Sequence, residues 1–471
     1  MTQIELVGRE SEISTLNACA KSAQSEFAVV FGRRRIGKTF LVNQTFKGKF
    51  DFCYVGGHHL NEREQLKNFS EALKSYSKAL FAPTLEDWFD AFRQLQVYLE
   101  SLNKSKKKII FIDEMPWIDT PYSGFVKALE NFWNGWAAMR NDIFLVASGS
   151  ATSWMAEKLF ENQGGLYNRI TAQIYLRPFT LHEVELYLKS KNCPWDRFQI
   201  AQAYMIFGGV PFYYSLVNPK LSLAQNVDEL FFAKNGRLRR EFDELYNVLF
   251  SQGDKYIAVA KLLAGKPQGL CRDEIIKGIG IQGGAITKML ANLEHSDFIQ
   301  SYASFGNKKK GTIYKLTDFF SLFYFKFLEN NRSGDVRFWS NSLNTPAINS
   351  WQGISFERLC LLHTEQIKKK LGITGIRTEM STWKNKTSQI DLIIDRADRI
   401  INLFEIKFSI NKYSITAKYA EKLRNRISEF QSSSKTRKGI LHTFITTFGV
   451  LNAEGSSLVN SEIVLDDLFE K

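Results

Sequence analysis

The segment Gly32-Arg33-Arg34-Arg35-Ile36-Gly37-Lys38-Thr39 sets two glycines, an ammonium and a hydroxyl at the spacing G-x-x-x-x-G-K-T. Such a stretch can wrap its backbone N–H groups round phosphate oxygens, with Lys38 reaching the β/γ-phosphates and Thr39 ligating Mg²⁺. A second group, Asp113-Glu114, closes the apolar run Ile109–Ile112. Asp113 there suits the outer metal shell, and Glu114 is placed to polarise an attacking water. A third group, Asp391, Glu405 and Lys407, lies in SQIDLIIDRADRIINLFEIKFS and pairs two carboxylates with an ammonium.

These groups need elements to hold them. FAVVF at Phe27, DFCYV at Asp51, KIIFID at Lys108, DIFLVAS at Asp142 and IYLRPF at Ile174 are short apolar runs separated by amphipathic stretches. That alternation predicts strands and helices round a mostly parallel sheet. The phosphate-binding segment then follows a strand and opens a helix at FLVNQTF, the context the motif demands. The plain alternatives are a Gly-rich strand-to-helix turn for the first group and a solvated acidic turn for the second.

In the tail, Ile390–Asp395 and Ile400–Phe408 read as the strands of a hairpin. A turn centred on Ala397–Asp398 sets Asp391 opposite Glu405, while Glu405 and Lys407, two apart, share a face. Opposed carboxylates repel, and a divalent cation between them would reverse that sign. The alternative is an exposed amphipathic hairpin with an ion pair. Against it, Leu392–Ile394, Leu403, Phe404 and Ile406 are apolar on both faces, where unpaired acids are costly.

Between these regions the strands vanish from Thr180 to about Leu249. From Asp254 to Asp318 three helical stripes precede two short strands round a basic tip, Lys308-Lys309-Lys310. This order predicts a winged helix-turn-helix, with Lys288 and Asn292 on the polar side of its third helix. The Asn/Ser/Gly-rich stretch 327–347 reads as a linker, and a long helix from Trp351 to Lys370 opens a separate mixed α/β unit. His58-His59 reads as structural, because neighbours on a strand point to opposite faces.

LVGRESEISTL at Leu6, with the phosphate segment and Asp113-Glu114, resembles the archaeal-type, STAND-related AAA+ ATPases, over about 210 residues. The resemblance implies Val7, Gly8 and Arg9 at the base pocket, Ser148 at a sensor position, Arg169 as an arginine finger, and Pro211 within Gly208-Gly209-Val210-Pro211 as the family's GGxP box. Their plain readings are a helix cap for Ser148, a surface arginine for Arg169 and a helix break for Pro211. The pattern D-x(13)-E-x-K, preceded by Glu357 on a helix, resembles the PD-(D/E)xK nuclease superfamily from about Trp351 to Phe430. It implies a metal site of Glu357, Asp391 and Glu405 with Lys407 beside it.

The chain of 471 residues, with 62 Lys+Arg against 49 Asp+Glu and a net charge of +13, is globular and basic enough to carry a polyanion-binding patch. Five scattered cysteines without a C-x-x-C spacing argue against a disulfide framework or a thiolate zinc site and read as reduced thiols. The acidic N-terminus and short apolar runs predict a cytoplasmic protein with no export signal and no membrane span. The expected class is α/β: a P-loop ATPase core at 1–180, a helical lid at 181–250, a winged helix at 251–335 and a nuclease-like domain at 347–471. The expected function is ATP- and Mg²⁺-dependent hydrolysis controlling a nuclease-like tail. Nucleic acid, DNA first, is the expected partner, with homo-oligomers forming through the ATPase core. The rival readings are a signalling or scaffold ATPase with an inert tail and a winged-helix transcription regulator.

Overall fold

The computed structural model describes residues 6–103, 106–150, 152–160, 165–250, 252–306, 311–451 and 455–471. It divides into two compact units, Met1–Arg177 and Pro178–Lys471. In the first, strands β1 (Glu26–Phe31), β2 (Phe52–Val55), β3 (Lys108–Asp113), β4 (Ile143–Gly149) and β5 (Ala172–Tyr175) form one sheet in the order β2-β3-β4-β1-β5. Every pairing in it is parallel. Within β1, Phe27 and Val29 enter a core with Trp88, Phe132 and Leu145, whereas Ala28 and Val30 pack with Leu41, Val42 and Phe46. A strand buried on both faces must be apolar throughout, which explains why these runs do not alternate. The order also places β4 between β1 and β3, so the ends of all three converge on one edge, where open parallel sheets bind ligands.

The second unit begins with helices and no strands across 181–249. Helices Gly253–Ala264, Arg272–Ile279 and Gly283–His295 follow, with strands β6 (Leu270–Cys271), β7 (Ile299–Ser304) and β8 (Ile313–Leu316). Strands β9 (Thr378–Lys384), β10 (Gln389–Arg396), β11 (Ile400–Lys407), β12 (Gly439–Thr446) and β13 (Ser461–Val464) complete the chain. All eight form a single sheet, β13-β12-β11-β10-β9-β7-β8-β6. Its two halves join through two parallel pairs, Ala303↔Ser381 and Ser304↔Thr382, and Phe305 packs on Phe430.

Three local expectations change. The stretch 327–347 is no loose linker: Trp339 is buried against Phe323, Phe327 and Trp351, and Asp228 accepts from the Trp339 amide at 2.8 Å. The long helix is two, Pro346–Leu362 and Thr364–Lys370, divided at His363. Asn292 is buried and donates to the Tyr256 hydroxyl at 2.8 Å, so it packs the helix core instead of facing solvent. Lys308, Lys309 and Lys310 lie outside the described residues. All five cysteines are free, and no helix among the described residues is long and apolar enough to cross a membrane.

Candidate functional site

In the first unit, Gly32 leaves β1 at φ 148° and Gly37 precedes the helix Lys38–Phe46 at φ 94°. A Cβ on Gly32 would stand 2.5 Å from the Leu176 carbonyl oxygen, so backbone passes there only without a side chain. Between the glycines, Arg33 and Ile36 are buried, Arg34 and Arg35 half-buried, and Arg35 is left-handed at φ 67°. Lys38 is 4 % exposed, and its Nζ donates to the carbonyls of Gly32 and Arg33, both at 3.1 Å. Burial lowers its pKa, with Glu114 and Asp113 opposing the shift.

Thr39 Oγ1 donates to Asp113 Oδ2 at 2.6 Å, bringing together the two groups expected to share a metal. Ser148, at the end of the intervening strand β4, donates to Asp113 Oδ1. Glu114, left-handed at φ 51°, accepts from the Ser150 amide at 3.0 Å and its hydroxyl at 2.8 Å. The donor set fits a magnesium nucleotide: a hydroxyl and a carboxylate side by side, an ammonium and a glycine-flanked turn.

Gly8 and Arg9 are left-handed and follow the half-buried Val7; Arg9 is buried, with Nη2 donating to the Arg177 carbonyl at 2.7 Å. Arg169 is exposed in the turn before β5. In the second unit, Pro211 opens the helix Pro211–Ser215, and the Phe179 amide donates to Gly209 O at 2.7 Å. A Cβ on Gly209 would sit 2.1 Å from Phe179 O, so this box is built by close packing. His58 and His59 lie in the turn after β2, not on a strand, with rings 3.7 Å apart.

The tail acids meet in a cavity of about 290 Å³ in the second unit, lined by Glu357, Asp391, Glu405, Lys407, Lys422 and Arg426 among others. The hairpin register is the one its turn dictates: Ile393↔Leu403, Ile394↔Asn402 and Asp395↔Ile401. The ladder does not run on to Asp391, however. Strand β10 shifts against β9 between Ile390 and Ile393, and such a bulge re-aims the side chains it carries.

Neither acid is left to repel the other. Asp391 Oδ1 accepts from Lys315 at 2.9 Å and Gln389 at 2.7 Å; burial raises its pKa, but Lys315 outweighs this and holds the carboxyl low. Glu405 accepts from Lys407 at 2.8 Å, from Arg426 at 2.5 Å and from Tyr419. Burial raises its pKa too, yet Lys407 and Arg426 hold it low. Removing Asp391 would therefore strand a buried Lys315 and cost stability, the opposite of the relief expected from two facing carboxylates. No group of three metal-ligating side chains occurs among the described residues.

Glu357 is the exception, raised to about 7 by burial and then by Asp391. From its ordinary 4.5 upward, the unfolded chain releases this proton before the folded one, so stability falls between about pH 4.5 and 7, by up to about 3 kcal/mol. Glu357→Gln should flatten that fall in urea unfolding measured across the range; an unchanged slope would exclude Glu357 as its source.

Sequence reasoning missed Lys315, Gln389, Tyr419, Lys422 and Arg426. The last two and Tyr419 share one stripe of the helix Ala417–Ser434, a legible spacing; nothing local ties Lys315 to Asp391.

Residues 6–217 match the family described as an ATPase domain predominantly from Archaea. An uncharacterised protein of Methanocaldococcus jannaschii is 26 % identical over 413 residues, covering 85 % of this chain and 87 % of its own. Two solved structures are similar: a Walker-type ATPase of Pyrococcus abyssi (17 % identity, TM-score 0.47, 68 % of this chain and 96 % of that one) and the ORC2 protein of Aeropyrum pernix (13 %, 0.42, 68 % and 92 %). The chain carries an ATPase domain of archaeal type over the matched residues.

Proposed function

We propose that the chain hydrolyses ATP at the 32–39 turn and that its nucleotide state controls a Mg²⁺-dependent, DNA-directed nuclease-like pocket in the tail. The observation that carries the first half is the contact of Thr39 with Asp113 beside the buried Lys38. Mg²⁺ bound there would neutralise phosphate charge. Lys38 gives up its loop carbonyls to meet the phosphates, Ser148 orients Asp113, and Glu114 holds the water once it turns from Ser150. Arg169, exposed and in the turn before β5, is available as a finger in cis or from a second copy. Arg169→Ala should lower turnover while ATP affinity holds; a loss confined to affinity would exclude that role.

The cavity supports the second half, because Glu357, Asp391, Glu405 and Lys407 come from three elements to one place. Plasmid and linear DNA, incubated with the protein with and without ATP and Mg²⁺ or Mn²⁺, test it against Asp391→Ala. Metal-dependent cleavage lost in the variant is expected; no cleavage under any condition would exclude the nuclease. A scaffold ATPase with an inert tail is the second reading, favoured by the complete pairing of Glu405 with Lys407, Arg426 and Tyr419. Domain limits at 1–180, 181–250, 251–335 and 347–471 go with the first reading, the winged helix acting through its framework, since Asn292 is occupied internally.

A further inference from the structure

The ladder between β10 and β11 ends at Ile393↔Leu403, and from Phe404 onward β11 pairs with β12 alone. The tail cavity opens where the two strands part, with Gln389 and Asp391 on one side and 404–407 on the other. That edge of β11 turns peptide groups without a strand partner towards the gap. The helix Ala417–Ser434 adds a second wall with Lys422 and Arg426, and the turn 385–388 a third with Thr387 and Ser388. Glu429 ties that turn to the helix, accepting from Asn385 Nδ2 at 2.9 Å and from the Thr387 hydroxyl at 3.1 Å. The charges on these walls do not cancel. Lys315 covers Asp391 at 2.9 Å, and the single carboxylate of Glu405 meets two cations, Lys407 at 2.8 Å and Arg426 at 2.5 Å. Lys422 is exposed and makes no ion pair among the described residues. Even with Glu357 charged, the cations Lys315, Lys407, Lys422 and Arg426 outnumber the acids Glu357, Asp391 and Glu405.

We propose that this cavity is a binding site for a phosphate monoester that needs no metal, the phosphate being held by Lys422, Arg426 and Lys407 with the hydroxyls of Thr387 and Ser388. A monoester presents three strong acceptor oxygens and a charge of about −2, more of both than a backbone phosphodiester, and donors on three walls suit it. Arg426 uses Nη1 on Glu405, while its Nε is buried with no hydrogen-bond partner among the described residues, so the guanidinium keeps donors for a further acceptor. Glu405 then acts as a brace that fixes Lys407 and Arg426 in place, and the surplus positive charge is left for the ligand. The proposal goes beyond cleavage, for it holds equally in a tail that cuts nothing. The phosphorylated end of a nucleic-acid strand and free inorganic phosphate share this chemistry.

The test uses the full-length protein in EDTA without ATP, and two probes. One is a fluorescein-labelled oligodeoxynucleotide with a 5′-phosphate, read by anisotropy against the same strand ending in a 5′-hydroxyl; the other is inorganic phosphate, read by phosphorus NMR line broadening. The phosphorylated strand should bind at least about tenfold more tightly than the hydroxyl strand, as one or two charge-assisted hydrogen bonds would give. Lys422→Glu, a change at an exposed side chain, should abolish that preference, and Arg426→Lys, which keeps a cation for Glu405 but removes the fork, should reduce it. Phosphate taken up at the 32–39 turn would not respond to either variant. If the two strands bind alike and inorganic phosphate loses its binding in Lys422→Glu, the site stands with free phosphate as its ligand. Strands that bind alike and weaken alike in Lys422→Glu, with inorganic phosphate unaffected, would overturn the monoester in favour of backbone contacts. Binding of every probe unchanged in Lys422→Glu would overturn the site itself. Because EDTA removes any metal-dependent cleavage, none of these outcomes decides the nuclease reading.

Discussion

Lys38→Ala should lose ATP turnover by at least about 10²-fold, together with most of its ATP affinity. The ammonium lies buried at the turn, so its charge meets the phosphates with little water to screen it. Its Nζ also ties the Gly32 and Arg33 carbonyls, so the variant loses two loop hydrogen bonds, a cost of about 1–3 kcal/mol. The side chain is therefore part of the loop's own structure, and thermal melts must accompany the assay. Lys38→Arg separates the effects, since it keeps charge and donors while displacing them. Turnover like the wild type in a folded Lys38→Ala protein would remove the 32–39 turn from the reaction.

Glu114→Gln should do something different: bind ATP as before and hydrolyse it about 10²- to 10⁴-fold more slowly. The amide oxygen can still accept from the Ser150 amide and hydroxyl, so the position of residue 114 is kept. What goes is the basicity needed to polarise a water. Phosphate release beside equilibrium binding of a fluorescent ATP analogue reads the split. A parallel loss of binding would make Glu114 structural, and unchanged release would rule it out as the base. Asp113→Asn should instead weaken Mg²⁺-dependent binding, because Asp113 meets Thr39 and Ser148 directly.

The sequence by itself determined whatever rests on neighbours along the chain. Five apolar runs marked the five strands of the first sheet, and its three inner strands β1, β3 and β4, buried on both faces, have little other composition open to them. The spacing from Gly32 to Thr39 determined the turn, because glycine alone passes the Leu176 carbonyl at that approach. The hairpin register followed from its turn, Ile393 meeting Leu403. Tertiary structure decided the rest. That Ser148 reaches Asp113 depends on β4 lying beside β3, a strand order no local pattern encodes. The bulge at Asp391 and the reach of Lys315 across two intervening strands depend on how one sheet is built across a two-pair junction. A linker-like composition at 327–347 proved to hold a packed short helix, Phe338–Ser342, because Trp339 found an aromatic pocket and Asp228 satisfied its backbone. Periodicity reports which face of an element is apolar; the charge that neutralises a buried acid comes from wherever the fold brings a cation within about 3–4 Å.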